Sequence, residues 1–212
     1  AAADVLGLED GDLALIVAAA APRATSALGE LRVPVARECG LFAEDEQHLL
    51  WVTDFPLVEW SAEDGRWTSV HHPFTHPHPE DLDLLDSAPG EVRSLAYDIV
   101  FNGVELAGGS IRIHDGELQR RVFRLLGISR REAEERFGFL LEALRYGAPP
   151  HGGIAMGLDR LVMLLARGSS IREAIAFPKT ASAVCLMTEA PSEVDADKLS
   201  ELGIRVPPRP GG

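Results

Sequence analysis

The chain has 212 residues, 46% hydrophobic and 25% charged, a globular composition with enough length to bury the core of one or two domains. Its net charge of −13 argues, taken alone, against a surface built to neutralise phosphates, and no run approaches the ~18 consecutive apolar residues of a membrane span. Cys39 and Cys185 are the only cysteines and form no CxxC pair, which excludes a disulfide or zinc framework and fits a reducing, cytoplasmic setting.

Residues 1–47 read as a small α/β piece. Leu13–Ala18 has strand composition. Arg23–Cys39 places Leu28, Leu31, Val35 and Ala36 at roughly helical spacing, with Pro34 expected to split or kink the helix. Glu9, Asp10 and Asp12 precede the Ala-rich run, where a secretory signal would carry basic residues. The start at Ala1-Ala2-Ala3, without Met, is expected of a segment of a longer chain.

From His48 the texture changes. Leu49–Val52 reads as a buried strand ending before Pro56. Asp64-Gly65 predicts a turn within Trp60–Val70, followed by a strand. His71–Pro79 is a loop rich in His and Pro, and Glu80–Leu85 a short helix. Ser94–Phe101 and Val104–His114 predict a hairpin closed by a type I′ turn at Asn102-Gly103. Two helices follow. The second opens on a capping box, Ser129 to Glu132, and turns Phe137, Leu140, Leu141 and Leu144 to one face. After a loop at Gly147–Pro150 come a Gly-containing strand, His151–Met156, and a helix, Leu158–Ala166. The Pro/Gly-rich tail from Pro207 is expected to be disordered.

The hairpin carries the chemistry. A two-residue turn pairs Phe101 with Val104, Val100 with Glu105 and Asp98 with Ala107. Asp98, Val100 and Glu105 then share a face, with Asp98 and Glu105 diagonal neighbours ~7–8 Å apart. Two carboxylates on one face suit Mg²⁺, which takes oxygen ligands and often combines one or two carboxylates with substrate phosphates. Solvated surface acids are the alternative. In a regular ladder Arg112 points to the opposite face. A bulge within residues 107–110, where Gly108-Gly109 tolerates one, brings it back beside Asp98 and Glu105. There its guanidinium can hold a carboxylate in a bidentate contact; an ordinary exposed strand Arg is the alternative.

Gly152–Arg160 runs from strand into helix. Its small residues permit close approach of a flat ligand, and Arg160 in the first helical turn can stabilise a triphosphate and the charge that builds at a transferring phosphorus. A tight strand–helix junction with a surface Arg–Asp pair is the alternative. In His71–His78 the prolines and ligand spacing disfavour a structural metal and favour a substrate-contacting His on a stiff loop.

Several segments together resemble the bacterial-type aspartyl-tRNA synthetases. They are Leu50–Pro56, His71–Thr75, Ala96-Tyr97-Asp98, Asn102–Glu105 with Gly108–Ile113, Phe137–Leu141, Tyr146–Ala155 with Gly157–Arg160, Ile175–Lys179 and Leu186–Pro191, in matching order and spacing. The resemblance runs from about residue 8 to 206. It implies an α+β fold: part of the antiparallel, helix-flanked sheet of a class II synthetase over 48–206, preceded by the end of a small α/β insertion domain over 1–47. It implies an aspartate–tRNA ligase, which joins L-aspartate to ATP, releases pyrophosphate and passes the aspartyl group to tRNA(Asp), with tRNA(Asn) an open alternative. His71 and Arg112 would contact aspartate. Asp98 and Glu105 would hold Mg²⁺, with Glu105 also at ATP. Gly157, Leu158, Asp159 and Arg160, the motif 3 region, would bind ATP, and Arg160 and Glu105 would be catalytic. The family acts as a homodimer. Ala107 departs from it, standing where a third Gly is usual. Motifs 1 and 2 are absent, so these residues alone are expected to be inactive. A non-catalytic remnant that binds a partner or small molecule, and an asparagine-specific relative, are the competing readings.

Overall fold

A computed structural model describes residues 2–43 and 46–206. The chain falls into two units, Ala1–His48 and Leu49–Gly212. The tail expected to be disordered from Pro207 lies outside the described residues.

The first unit holds helix α1 (Ala2–Leu6) and helix α2 (Ala21–Glu38). Pro34 lies inside α2, which continues through it for one further turn. The expected strand Leu13–Ala18 does not form, and these residues take irregular structure. A strand needs a partner ladder, and the described residues of this unit include no second extended segment to supply one.

The second unit is built on an antiparallel sheet. Its strands are β1 (Leu49–Thr53), β4 (Ala96–Phe101), β5 (Val104–Ile111) and β6 (Gly152–Met156), in the order β1-β4-β5-β6. Strands β2 (Val58–Ser61) and β3 (Arg66–Ser69) form a separate ribbon, turning where Gly65 adopts φ 62°. Helices α3 (Gly116–Leu125), α4 (Arg130–Arg145), α5 (Leu158–Leu165) and α6 (Ala196–Glu201) complete it. This is the expected α+β arrangement, an antiparallel sheet flanked by helices. Strand β1 departs from its expected burial: Leu49 and Trp51 are 65% and 60% exposed. As an outer strand of the described sheet, β1 pairs only with β4.

The core lies beside the sheet. Leu57, Val58, Leu85, Val92, Ile113, Val122 and Leu126 form one buried cluster, against which Trp67 and Leu118 pack. The predicted helix at Glu80–Leu85 is a 3-10 turn, Pro79–Leu84. It presents Asp81 to Arg93, whose guanidinium donates to both carboxylate oxygens at 2.8 and 2.9 Å. At α4 half of the capping box forms. Ser129 Oγ accepts from the Glu132 N–H, while the Glu132 carboxylate turns to Arg136 at 2.7 Å. Phe137 breaks the helical dihedrals of α4, and of its expected apolar face only Leu144 is buried.

Candidate active site

The site begins with the turn. Asn102 and Gly103 have φ of 47° and 81°, the left-handed pair that a type I′ hairpin requires. Phe101 faces Val104 and Val100 faces Glu105, as expected, but Asp98 faces Gly108 and not Ala107. The register shifts between Ile99 and Val100. The bulged residue is therefore Leu106, one position before the glycine-bearing stretch expected to hold it, and 107–110 pair regularly. Leu106 is buried, so the bulge falls on an apolar side chain and not on the glycines.

The consequence for the faces is the expected one. An added Cβ at Gly108 would lie 2.7 Å from Asp98 Oδ1 and 3.2 Å from Glu105 Oε1, so both carboxylates lean over this glycine. Alternation from Gly108 carries the same face to Arg112.

The His/Pro loop is laced to the end of the hairpin. The His76 N–H donates to the Ile111 carbonyl and the Ile113 N–H to that of Phe74, each at 2.9 Å. Thr75 and Arg112 form a β-bridge. Below the loop, Gln119 of α3, 1% exposed, donates its amide to the Pro73 carbonyl at 2.8 Å. Phe74 packs edge-on against Phe123 and Phe137, which stack on each other 5.3 Å apart. These supports place one imidazole beside Asp98 and a second beside Arg112. His71 Nε2 lies 3.8 Å from Asp98 Oδ1, and Phe55 packs edge-on against the His71 ring. His72 Nδ1 lies 3.2 Å from the guanidinium of Arg112. Burial, and then the charge of Arg112, hold His72 below the ordinary histidine range.

The bulge also anchors the Gly-rich segment. The Gly157 N–H donates to the Leu106 carbonyl at 3.1 Å, and Arg160 donates through Nη1 to the Glu105 carbonyl. Gly157 and Arg160 are thus fixed to the backbone that carries Glu105. Leu158, 70% exposed, and the exposed Asp159 begin α5. The structure therefore gathers His71, Asp98, Glu105, Arg112 and Arg160 on one hairpin and its immediate supports.

The family model for class II tRNA synthetases (D, K and N) matches residues 16–181. The chain belongs to the class II tRNA synthetases (D, K and N). Two curated relatives show the extent of the likeness. An aspartate–tRNA(Asp/Asn) ligase of Desulfatibacillum aliphaticivorans is 56% identical over 97% of this chain and 34% of its own length. An aspartate–tRNA ligase of Staphylococcus carnosus (strain TM300) is 54% identical over 96% of this chain and 34% of its own length. The chain thus spans about a third of the length of these relatives. Among solved structures, an aspartyl tRNA synthetase from Entamoeba histolytica aligns with a TM-score of 0.49 and 23% identity, covering 86% of this chain and 30% of that one.

Class II tRNA synthetases generally use ATP and Mg²⁺. Among the described residues no group of three or more His, Cys, Asp or Glu side chains is arranged to hold a metal. Asp98 and Glu105 nevertheless bring one oxygen each to a single point above Gly108, a cradle that any Cβ would fill. Mg²⁺ keeps several waters or substrate oxygens and needs only one or two carboxylates, so this pair fits such an ion.

The expected site includes none of His72, Thr75 and Gln119, which the structure places around Arg112 and the loop. For Gln119 a signal exists: it stands three and four residues before Val122 and Phe123, a polar residue on the apolar stripe of α3. Nothing local separates His71 from His72.

Proposed function

We propose that this chain is the C-terminal part of an aspartate–tRNA ligase. Residues 48–206 belong to its catalytic domain and residues 1–47 end an insertion domain. The whole enzyme, a homodimer, activates L-aspartate with ATP and charges tRNA(Asp), or both tRNA(Asp) and tRNA(Asn). The placement of Arg112 carries this reading. Its planar fork donates paired hydrogen bonds and accepts none, which suits a side-chain carboxylate and leaves an amide NH₂ facing donors. Among the described residues it has one side-chain partner, His72, so most of its donors remain for a ligand.

The other residues take roles around it. His71, beside Asp98, contacts aspartate from the loop side. Asp98 and Glu105 hold Mg²⁺, and Glu105 also lies at ATP. The ion, when bound, neutralises phosphate charge. Gly157, Leu158, Asp159 and Arg160 form the wall for ATP, and Arg160, fixed beside Glu105, offsets the charge that grows on the α-phosphate as the substrate carboxylate attacks. No covalent nucleophile is needed, because position and preorganised charge supply the catalysis.

The test is ATP–pyrophosphate exchange by the full-length gene product with aspartate, asparagine or lysine. Exchange driven by aspartate supports the reading. Exchange driven equally or better by asparagine or lysine overturns the specificity assigned to Arg112.

A further inference from the structure

We infer that His72 is a positioning residue for Arg112: its Nδ1 acts as a fixed acceptor that sets the direction of the guanidinium. The inference rests on the aspartate reading above and adds a residue to it.

Three groups lie 3.2 Å from His72 Nδ1: the Phe74 backbone N–H, the Thr75 hydroxyl and Arg112 Nη1. A backbone N–H and a guanidinium can only donate. The nitrogen they share therefore carries a lone pair, and the proton sits on Nε2. The ring is neutral and of one tautomer. The Phe74 N–H comes from the same tight turn, so the acceptor is built into the local backbone.

The loop itself is held from outside. Gln119 grips the Pro73 carbonyl, Phe74 is clamped by Phe123 and Phe137, and Thr75 bridges to Arg112 through the backbone. The acceptor and the strand bearing Arg112 are thus tied together on both sides of the contact. A long side chain with many rotamers otherwise loses considerable freedom on binding. A built-in acceptor removes part of that cost before the ligand arrives and leaves the remaining donors aimed at it.

Amide replacements separate this role from packing. In His72→Asn, Oδ1 lies close to the place of Nδ1 and can accept from Arg112. In His72→Gln the amide reaches towards the place of Nε2. With the full-length gene product, His72→Gln is expected to raise KM for aspartate roughly tenfold or more, the worth of one hydrogen bond to a charged group. KM for ATP should stay within about twofold, a limit far below one lost bond to charge. His72→Asn should recover most of the loss. Equal effects of the two variants, or parallel rises in both KM values, overturn the inference.

A second readout needs no activity. Nitrogen-15 correlation spectra of histidine-labelled protein should show His72 as the Nε2–H tautomer, with an Nδ1 signal that moves in Arg112→Leu. An Nδ1–H tautomer, or an unmoved signal, overturns the contact. If the wild-type protein shows no aspartate-dependent exchange while this signature is present, the aspartate reading fails and the positioning contact stands.

Discussion

Gly108 stands opposite Asp98 in the β4–β5 ladder, and a Cβ on it would lie 2.7 Å from the Asp98 carboxylate and 3.2 Å from that of Glu105. Both obstructing atoms are tips of flexible side chains. Gly108→Ala should therefore fold, at the lower end of the ~1–3 kcal/mol that overpacking costs. It should also push the two carboxylates apart and raise the Mg²⁺ concentration needed for half-maximal exchange. Gly109 is the contrast. Its added Cβ would meet the Gly153 carbonyl oxygen at 2.0 Å and Ile154 Cα at 2.9 Å, which are backbone atoms of the neighbouring strand. Gly109→Ala should cost ~3 kcal/mol or more, beyond the usual overpacking range, by prising β6 from β5. Thermal denaturation of the two variants side by side checks this; equal losses would contradict the register.

Much of this was legible because local chemistry decided it. Asn102-Gly103 admits few alternatives as a hairpin turn; the strand expected over Ser94–Phe101 forms over Ala96–Phe101, and the helix expected from the cap at Ser129 forms over Arg130–Arg145. That one extra residue would return Arg112 to the face of Asp98 was also readable, from parity. The place of that residue was not, because the bulge went to Leu106, a buried side chain, and a glycine's tolerance says only where a bulge is permitted. The exposure of Leu49 and Trp51 was not legible either. An apolar run reports that something covers it, and nothing in the described sheet does. His72 escaped because two adjacent histidines look alike until the 3.2 Å contact between His72 Nδ1 and Arg112 Nη1 shows which of them reaches the guanidinium.

Asp81 makes a pH prediction. Hydrogen bonds from the Arg93 side chain, and then from the Arg93 backbone N–H, lower its carboxyl from 3.8 to about 2. A folded value below the unfolded one means that the contribution to stability is complete above the unfolded value of about 4. It is lost as pH falls towards 2. The unfolding midpoint of the wild type should thus fall across that window. Asp81→Asn should be less stable at neutral pH and should flatten that part of the profile. A variant with the wild-type acid slope would show that other carboxylates dominate it.

Gln119 tests the support beneath the histidine loop. It is fully buried, and its amide serves the Pro73 carbonyl. Gln119→Leu keeps most of the volume but leaves that carbonyl without its donor, at a cost of ~1–3 kcal/mol for an unsatisfied buried group. The expected signature is a lower denaturation midpoint together with a raised KM for aspartate, because the loop carries both His71 and His72. A loss of stability with unchanged KM would mean that the Phe74, Phe123 and Phe137 cluster holds the loop without help.

Arg112→Leu addresses the proposed specificity directly. The substitution removes the guanidinium and keeps an apolar stem, while the Arg112 N–H still donates to the His151 carbonyl at 2.9 Å, so the strand end should stay in place. Arg112 is part-buried; removing one partner of a hydrogen-bonded charge pair that the bound ligand closes off from water costs ~2–5 kcal/mol, which is a rise of roughly 30-fold or more in the aspartate dissociation constant. ATP should bind as before, because the residues assigned to it hang on the Glu105 and Leu106 carbonyls and not on Arg112. Calorimetric titration of each ligand into the full-length variant separates the two effects. Similar weakening of aspartate and ATP would mean that Arg112 organises the whole hairpin instead of reading the amino acid.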